Sequence, residues 1–278
     1  MKKFKKIYVE ITNICNLNCS FCHNNKREKK FMNVSDFSHI IDEVKLYTNY
    51  IYLHVKGEPL LNPNLDIFLD ICDNNNLFVN ITTNGTLLKK NFTILKKHKC
   101  VRQLNISLHS ENDENSYFED VFSVCKGLAD RVYISYRLWT LNNLELDKKS
   151  TEIVEKIISS YSLSTDIVEK LYKDNQVKIS DNTYVNKDNL FEWPSINNNH
   201  NSDGYCHGTI DHIGILVDGT VIPCCLDGEG FVSLGNILST RFGDILKSDR
   251  FVKMRDSFKN NLCSEEFCKK CRFKDRFR

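Results

Sequence analysis

No run in this chain of 278 residues approaches the roughly 20 consecutive apolar positions of a membrane-spanning helix. That absence excludes a transmembrane class, and the start MKKFKK, followed within a few residues by Glu10 and Asn13, lacks the apolar stretch of a signal peptide. Surplus charge is missing too. Against 36 acidic side chains stand 38 basic ones, a net charge of +2, too small to draw nucleic acid or an anionic membrane surface. No internal repeat with a period of about 20 to 50 residues is present. What remains, 41% hydrophobic and 27% charged, is the composition of a globular protein with one large domain or one domain plus a small appendage. A cytoplasmic location is expected.

Cysteine is the residue in excess. Twelve cysteines in a reducing compartment point to metal or cluster ligands before disulfides. Three fall in CNLNCSFC as Cys15, Cys19 and Cys22, an odd number on one loop straight after the apolar run KIYVEIT. Such a trio suits a site that needs several soft ligands from one loop: an iron-sulfur cluster with one iron left open, or a zinc ion completed by the adjacent His23. A second group lies near the carboxyl end. Cys206 and Cys224 flank the turn signal Asp218-Gly219, and Cys268 and Cys271 form a C-x2-C. Four thiolates from a hairpin and a following short helix enclose one cluster, with structural zinc as the alternative. Cys225 and Cys263 are spare thiols able to substitute. Cys72 and Cys125 fall on apolar helical faces and read as small buried hydrophobes.

The first two thirds of the chain alternate β-branched apolar runs, at 7–11, 50–55, 77–82, 103–109 and 132–138, with segments of helical period such as Phe37, Ile40, Ile41, Val44, with Asn33 or Ser35 as cap. This alternation predicts right-handed βαβ units around a parallel sheet, with chemistry at the carboxyl ends of the strands. Helical signals follow near 151–172, then an uncertain strand around 176–185 and a polar linker, SINNNHNSDG. The expected division is 1–195 and 196–278. Trp139, Phe191 and Trp193 read as core packing or as the lining of a substrate channel.

The pattern C-x3-C-x2-C with Phe21 before its last cysteine resembles the signature of the radical S-adenosylmethionine (radical SAM) superfamily. HVKGEPLL, after the second strand, resembles the family's GGEP motif with Lys56 in place of the first glycine and Gly57 and Glu58 retained. ITTNGTLL, with Asn84, is similar to its TNG segment, although Asn-Gly also suits an ordinary turn. Ser107 and Arg137 stand at the fourth and fifth strands where members contact the ribose and the methionine carboxylate; Arg137 in ISYRLW is unusual for a strand interior, and Ser107 is as readily an ordinary strand residue. His109 is read first as a structural histidine.

The resemblance implies a partial (β/α)6 TIM-like barrel. It implies a 4Fe-4S cluster on Cys15, Cys19 and Cys22, S-adenosyl-L-methionine as cofactor in contact with Phe21, Gly57, Glu58, Asn84, Ser107 and Arg137, and an electron donor such as flavodoxin or ferredoxin. The C-x12-G-x4-C of Cys206 to Cys224 and the later Cys268 and Cys271 resemble the twitch and SPASM extensions, which carry a second, auxiliary 4Fe-4S cluster on a small β-hairpin plus helix domain. The implied activity is reductive cleavage of S-adenosylmethionine and oxidation of a substrate, a peptide or protein side chain first and a sugar or aminocyclitol second. A non-catalytic iron-sulfur or zinc protein that binds a partner is the reading from another class.

Overall fold

The computed structural model of the chain describes residues 4–23, 26–110, 116–190 and 192–277. Phe191, one of the three aromatics singled out above, lies outside them. By compactness the chain divides into two units. One comprises 1–16, 23–78 and 191–278, the other 17–22 and 79–190.

In the first unit the strands are β1 (Lys6–Val9), β2 (Tyr50–Tyr52), β8 (His212–Ile215), β9 (Thr220–Ile222) and β10 (Gly235–Asn236). β1 pairs in parallel with β2 and with β8, while β8, β9 and β10 continue antiparallel. The late hairpin is therefore an extension of the sheet that β1 begins, which explains why the carboxyl-terminal segment joins the amino-terminal one. Its turn uses Gly219 at φ +85°, where an added Cβ would sit 2.6 Å from a Leu238 side-chain carbon, a position that suits glycine alone. Helix α1 (Val34–Val44) starts at Asn33, whose side chain accepts from the Asp36 amide at 2.8 Å. Its face of Phe37, Ile40, Ile41 and Val44 is fully buried, and Phe37 stacks on Phe68 of α2 (Leu65–Asn74) at 4.2 Å.

The second unit holds β3 (Phe78–Thr83) from Val79 onward, β4 (Val101–Ser107), β5 (Tyr133–Leu141), β6 (Gln176–Ser180) and β7 (Thr183–Asn189), in the order β3-β4-β5-β7-β6. Helices α3 (Leu88–Lys97), α4 (Tyr117–Lys126), α5 (Lys148–Tyr161) and α6 (Asp166–Lys173) connect them. The uncertain strand at 176–185 is two strands. β7 runs parallel to β5, and β6 turns back antiparallel on β7.

Alternation along these strands sorts the two faces of the sheet. Ile81, Leu104, Ile106, Ile134, Tyr136 and Leu138 are wholly buried, and Tyr136 meets Phe122 of α4 edge-on and Tyr161 of α5 through their hydroxyls at 2.7 Å. The opposite face is polar. There Thr82, Asn105 and Ser135 stand in one register layer, Ser107, Arg137 and Asn186 in another. Asn105 donates to Thr82 Oγ1 at 3.3 Å, and Asn186 donates to Ser135 Oγ at 2.8 Å. Strands covered on both faces by apolar layers read as continuous hydrophobic runs; this sheet instead reserves one face for hydrogen bonding.

One buried carboxylate holds the first unit together. Glu10, 0% exposed, accepts from Arg27 Nη2 at 2.6 and 2.7 Å, from the Lys56 amide at 3.0 Å and from the Val217 amide at 3.0 Å. Burial raises its pKa, and Arg27 and the two amides pull it back down. Arg27→Met leaves that carboxylate buried and without its cation, so it should destabilise the protein by about 3–5 kcal/mol in urea unfolding; a wild-type midpoint would rule the role out.

Acid sensitivity gives a second check. Burial pushes His212 down to about 3, so between pH 6.5 and 5 the unfolded chain binds a proton at this residue that the folded chain does not, and stability rises with pH. Glu10 and Asp227, raised by burial, act in the opposite sense, so the comparison is made by difference. The stability of His212→Phe should depend on pH less steeply than that of wild type across that window, by roughly 0.7 kcal/mol per pH unit at its upper end and approaching about 1.4 at its lower end. Parallel curves would contradict it.

Candidate functional site

The loop that carries Cys15, Cys19 and Cys22 leaves β1 through a stem tied by short polar side chains. Thr12 Oγ1 donates to the Lys30 carbonyl at 2.9 Å, Asn13 Nδ2 donates to the Glu28 carbonyl at 2.7 Å, and Asn13 Oδ1 accepts from the Lys30 amide at 2.7 Å. Sequence reasoning passed over both residues. Their signal was a Thr-Asn pair at the end of a strand, whose side chains bond nearby backbone readily. Beyond the stem the Cys22 amide donates to the Cys19 carbonyl at 3.0 Å, a tight turn that leaves Cys15 and Cys22 exposed and Cys19 half-buried. Phe21, in the same turn, is half-buried.

Gly57, at φ +75°, faces that stem: an added Cβ would lie 2.8 Å from the Ile14 carbonyl oxygen and on the Thr12 carbonyl. The Glu58 amide donates to Ile14 O at 2.8 Å. The glycine thus permits close approach of β2's carboxyl end to the backbone that precedes Cys15. Glu58 is 2% exposed, and its carboxylate accepts from the Leu60 amide at 3.1 Å.

Lys56 departs from the expected glycine, and its side chain is folded inward. Its Nζ donates to the His23 carbonyl at 3.1 Å and lies 3.5 Å from the centroid of the Trp193 ring, with its stem against Gly228. Trp193 therefore covers a cation, an arrangement strengthened by desolvation. The His23 ring meets the same indole edge-on at 6.5 Å.

In the second unit, Asn84 Oδ1 accepts from the Thr86 amide at 3.0 Å and from its hydroxyl at 2.8 Å, while the Tyr117 hydroxyl donates to the Asn84 carbonyl at 2.7 Å. The Asn-Gly pair is a built turn. Ser107 closes β4 in register with Arg137, whose guanidinium lies 3.2 Å from the Trp139 ring centroid. Among the described residues His109 uses one ring nitrogen, Nε2, with Ser150 Oγ at 2.9 Å, and burial lowers it to about 4. It is neutral near pH 7.

The carboxyl-terminal thiols converge within the first unit. Burial raises Cys206, Cys224, Cys268 and Cys271, Cys206 to about 11, and neighbouring thiols of the group raise Cys206, Cys224 and Cys268 further. Such thiols ionise only beside a cation, so the set suits a metal group and would release protons on binding it. The size of the set is also informative. A tetrahedral zinc ion with bonds of about 2.3 Å holds its sulfurs roughly 3.8 Å apart; among the described residues no three of these thiols come within 4.8 Å of one another.

The spare thiols separate clearly. Cys263 is 4% exposed and neighbours Cys271 and Cys206. Cys225 turns to the Tyr8 hydroxyl and packs with Tyr8, Val55, Leu216 and Ile222. Among the described residues there is no disulfide.

Two family models match the chain, the Radical SAM superfamily over residues 9–144 and the SPASM iron-sulfur cluster-binding domain over 206–272. The protein is a radical SAM enzyme with a SPASM-type domain, its fold the open α/β sheet of that superfamily's partial barrel, and its cofactors are 4Fe-4S clusters and S-adenosylmethionine. A probable GTP 3',8-cyclase of Pyrobaculum aerophilum is 24% identical over 184 residues, 60% of this chain and 58% of that one. Another of that name, from Methanocella arvoryzae, is 30% identical over 134 residues, 47% and 42% of the two chains. The chain thus spans less than two thirds of either relative. Among solved structures, BtrN in complex with AdoMet and 2-DOIA superposes with a TM-score of 0.64 at 20% identity, covering 98% of this chain and 94% of that one. Streptococcus suis SuiB bound to S-adenosylmethionine gives 0.64 at 18%, covering 97% and 72%. At these identities the likeness is one of fold.

Iron counting tests the thiol assignments. Protein reconstituted without oxygen should hold about eight irons, four for each cysteine-ligated cubane, and about four after Cys15, Cys19 and Cys22 are all changed to Ala. Cys225→Ala should keep the full count. A triple variant that retains all its iron would reject the amino-terminal assignment.

Proposed function

We propose that this enzyme cleaves S-adenosylmethionine at a cluster held by Cys15, Cys19 and Cys22, and that a second cluster, held by Cys206, Cys224, Cys268 and Cys271, takes an electron from the substrate. When bound at Cys15, Cys19 and Cys22, the first cluster would supply the electron for reductive cleavage of S-adenosylmethionine and so the radical chemistry on the substrate. The single observation that carries the oxidative reading is the carboxyl-terminal thiol set, Cys268 buried and Cys206, Cys224 and Cys271 half-buried, rich enough in thiols to saturate a cluster.

The chain's own side chains have narrower tasks. Gly57 and the Glu58 amide keep the end of β2 against the cysteine-loop stem. Glu58 is assigned to the ammonium of the methionine moiety and Arg137 to its carboxylate, for which a guanidinium is the apt partner. Phe21, Asn84 and Ser107 are assigned as further contacts of the cofactor. A soluble one-electron donor of the flavodoxin or ferredoxin kind is the proposed source of reducing electrons. No helix of the described residues is long and apolar enough to cross a membrane.

For the substrate, a peptide or protein side chain is the first reading, supported by SuiB bound to precursor peptide SuiA and anSMEcpe with the Cp18Cys peptide. A small polar molecule is the second, favoured by the hydrogen-bonding face of β3, β4, β5 and β7 and by the two-way coverage with BtrN, solved with 2-DOIA.

Two measurements test this function. Glu58→Ala and Arg137→Ala should each weaken S-adenosylmethionine binding in an anaerobic titration by about 1.5–3 kcal/mol with iron unchanged; equal affinities reject the contacts. With Cys268 and Cys271 changed to Ala, dithionite-reduced protein should still release 5'-deoxyadenosine while oxidised product is lost. A folded variant of this kind that keeps its first cluster and yet makes no 5'-deoxyadenosine would overturn the division of labour.

A further inference from the structure

The last turn of the described chain buries a cation beside the carboxyl-terminal thiols. Lys274 is 2% exposed, and its Nζ donates to the carbonyls of Cys268 at 3.0 Å, Lys269 at 3.1 Å and Cys271 at 2.6 Å. The acids nearest in sequence are engaged elsewhere: Asp275 lies 3.7 Å from His200, Glu266 pairs with Lys269 at 3.0 Å, and Glu265 is gripped by Arg250 at 2.9 Å. Among the described residues Lys274 is in no ion pair. Carbonyl dipoles solvate an ammonium without neutralising it, and a buried charge lacking a counter-charge is costly. Its carbonyl contacts set the ammonium against the C-x2-C that carries Cys268 and Cys271. Cys206, Cys263 and Cys271 all lie in the electrostatic field of Lys274. Backbone amides point the same way: Gly208 N–H donates to Cys206 Sγ at 3.4 Å, and the amides of Phe273 and Lys274 donate to Cys271.

We infer that Lys274 is the counter-charge of the carboxyl-terminal cluster, a positioning residue that clamps both cysteines of the C-x2-C by their carbonyls and raises the reduction potential of the group they hold. The inference rests on the proposed ligand set Cys206, Cys224, Cys268 and Cys271. Reduction adds one negative charge to a group already ringed by thiolates, and a buried cation that water does not screen favours that added charge. The electron-accepting role proposed above is thereby built into the protein around the cluster.

The test uses the full chain with Cys15, Cys19 and Cys22 changed to Ala, so that one cluster remains, and follows its reduction by electron paramagnetic resonance against potential. In that parent, Lys274→Met should make reduction at least tenfold less favourable, about 59 mV for a one-electron couple, with iron unchanged at about four per chain. Lys274→Arg, which keeps the charge, should stay within a few-fold of the parent. A Met variant with full iron and the parent's potential overturns the inference and leaves the ligand assignment standing. If Met and Gln variants lose iron while Arg retains it, the charge is required for assembly and the inference holds. Loss of iron from all three assigns Lys274 to packing and overturns it. A parent that binds no iron removes the ligand assignment itself.

Discussion

The first unit depends on a carboxylate taken out of water. Glu10 closes an apolar strand, and each of its hydrogen bonds reaches a different part of the chain: Arg27 beyond the cysteine loop, Lys56 at the end of β2, Val217 at the hairpin turn. Arg27 extends the grip by donating from Nε to the Gly228 carbonyl at 2.8 Å. A buried ion pair is a poor source of net stability but a strong specifier of arrangement, because any other packing strands the charge. Here it fixes the stem of the cysteine loop relative to the end of β2 and to the hairpin that bears Cys224. Lys56 adds to that grip from the same strand end, through the His23 carbonyl and Trp193.

The second unit solves a different problem. Its strands need one apolar face to hold α4 and α5, yet an enzyme of this class also needs an interior that receives polar molecules. Alternation along β3, β4, β5 and β7 supplies both, with Tyr136 and its neighbours toward the helices and Asn105, Ser135, Arg137 and Asn186 on the other side. The polar side chains bond one another across strands. That pre-orders them and satisfies part of their hydrogen bonding before any ligand arrives.

Charge distribution distinguishes the two cysteine sets. The amino-terminal trio sits on a loop that leaves Cys15 and Cys22 exposed and Cys19 half-buried. The carboxyl-terminal set is more enclosed, Cys268 buried and Cys206, Cys224 and Cys271 half-buried, with desolvation raising all four and Lys274 as the compensating cation. Burial and positive charge act together on that set, which no arrangement on an exposed loop would achieve.

Much of the fold and part of the candidate site were legible in the residues themselves. The helical period of Phe37, Ile40, Ile41 and Val44, the alternation of the strands, the Asp218-Gly219 turn and the spacing of the cysteines are local features, governed by backbone geometry and short-range chemistry, and local features survive in a linear chain. The sequence also marked Lys56 as a departure from the motif it resembles. Which way that side chain turns, that Glu10 is the hub of three distant segments, that Cys225 belongs to an apolar cluster while Cys263 neighbours Cys206 and Cys271, and that Lys274 is buried with no acid partner among the described residues were decided by tertiary packing alone. Each of these depends on desolvation, and the water a charge or thiol loses is set by residues tens to hundreds of positions away.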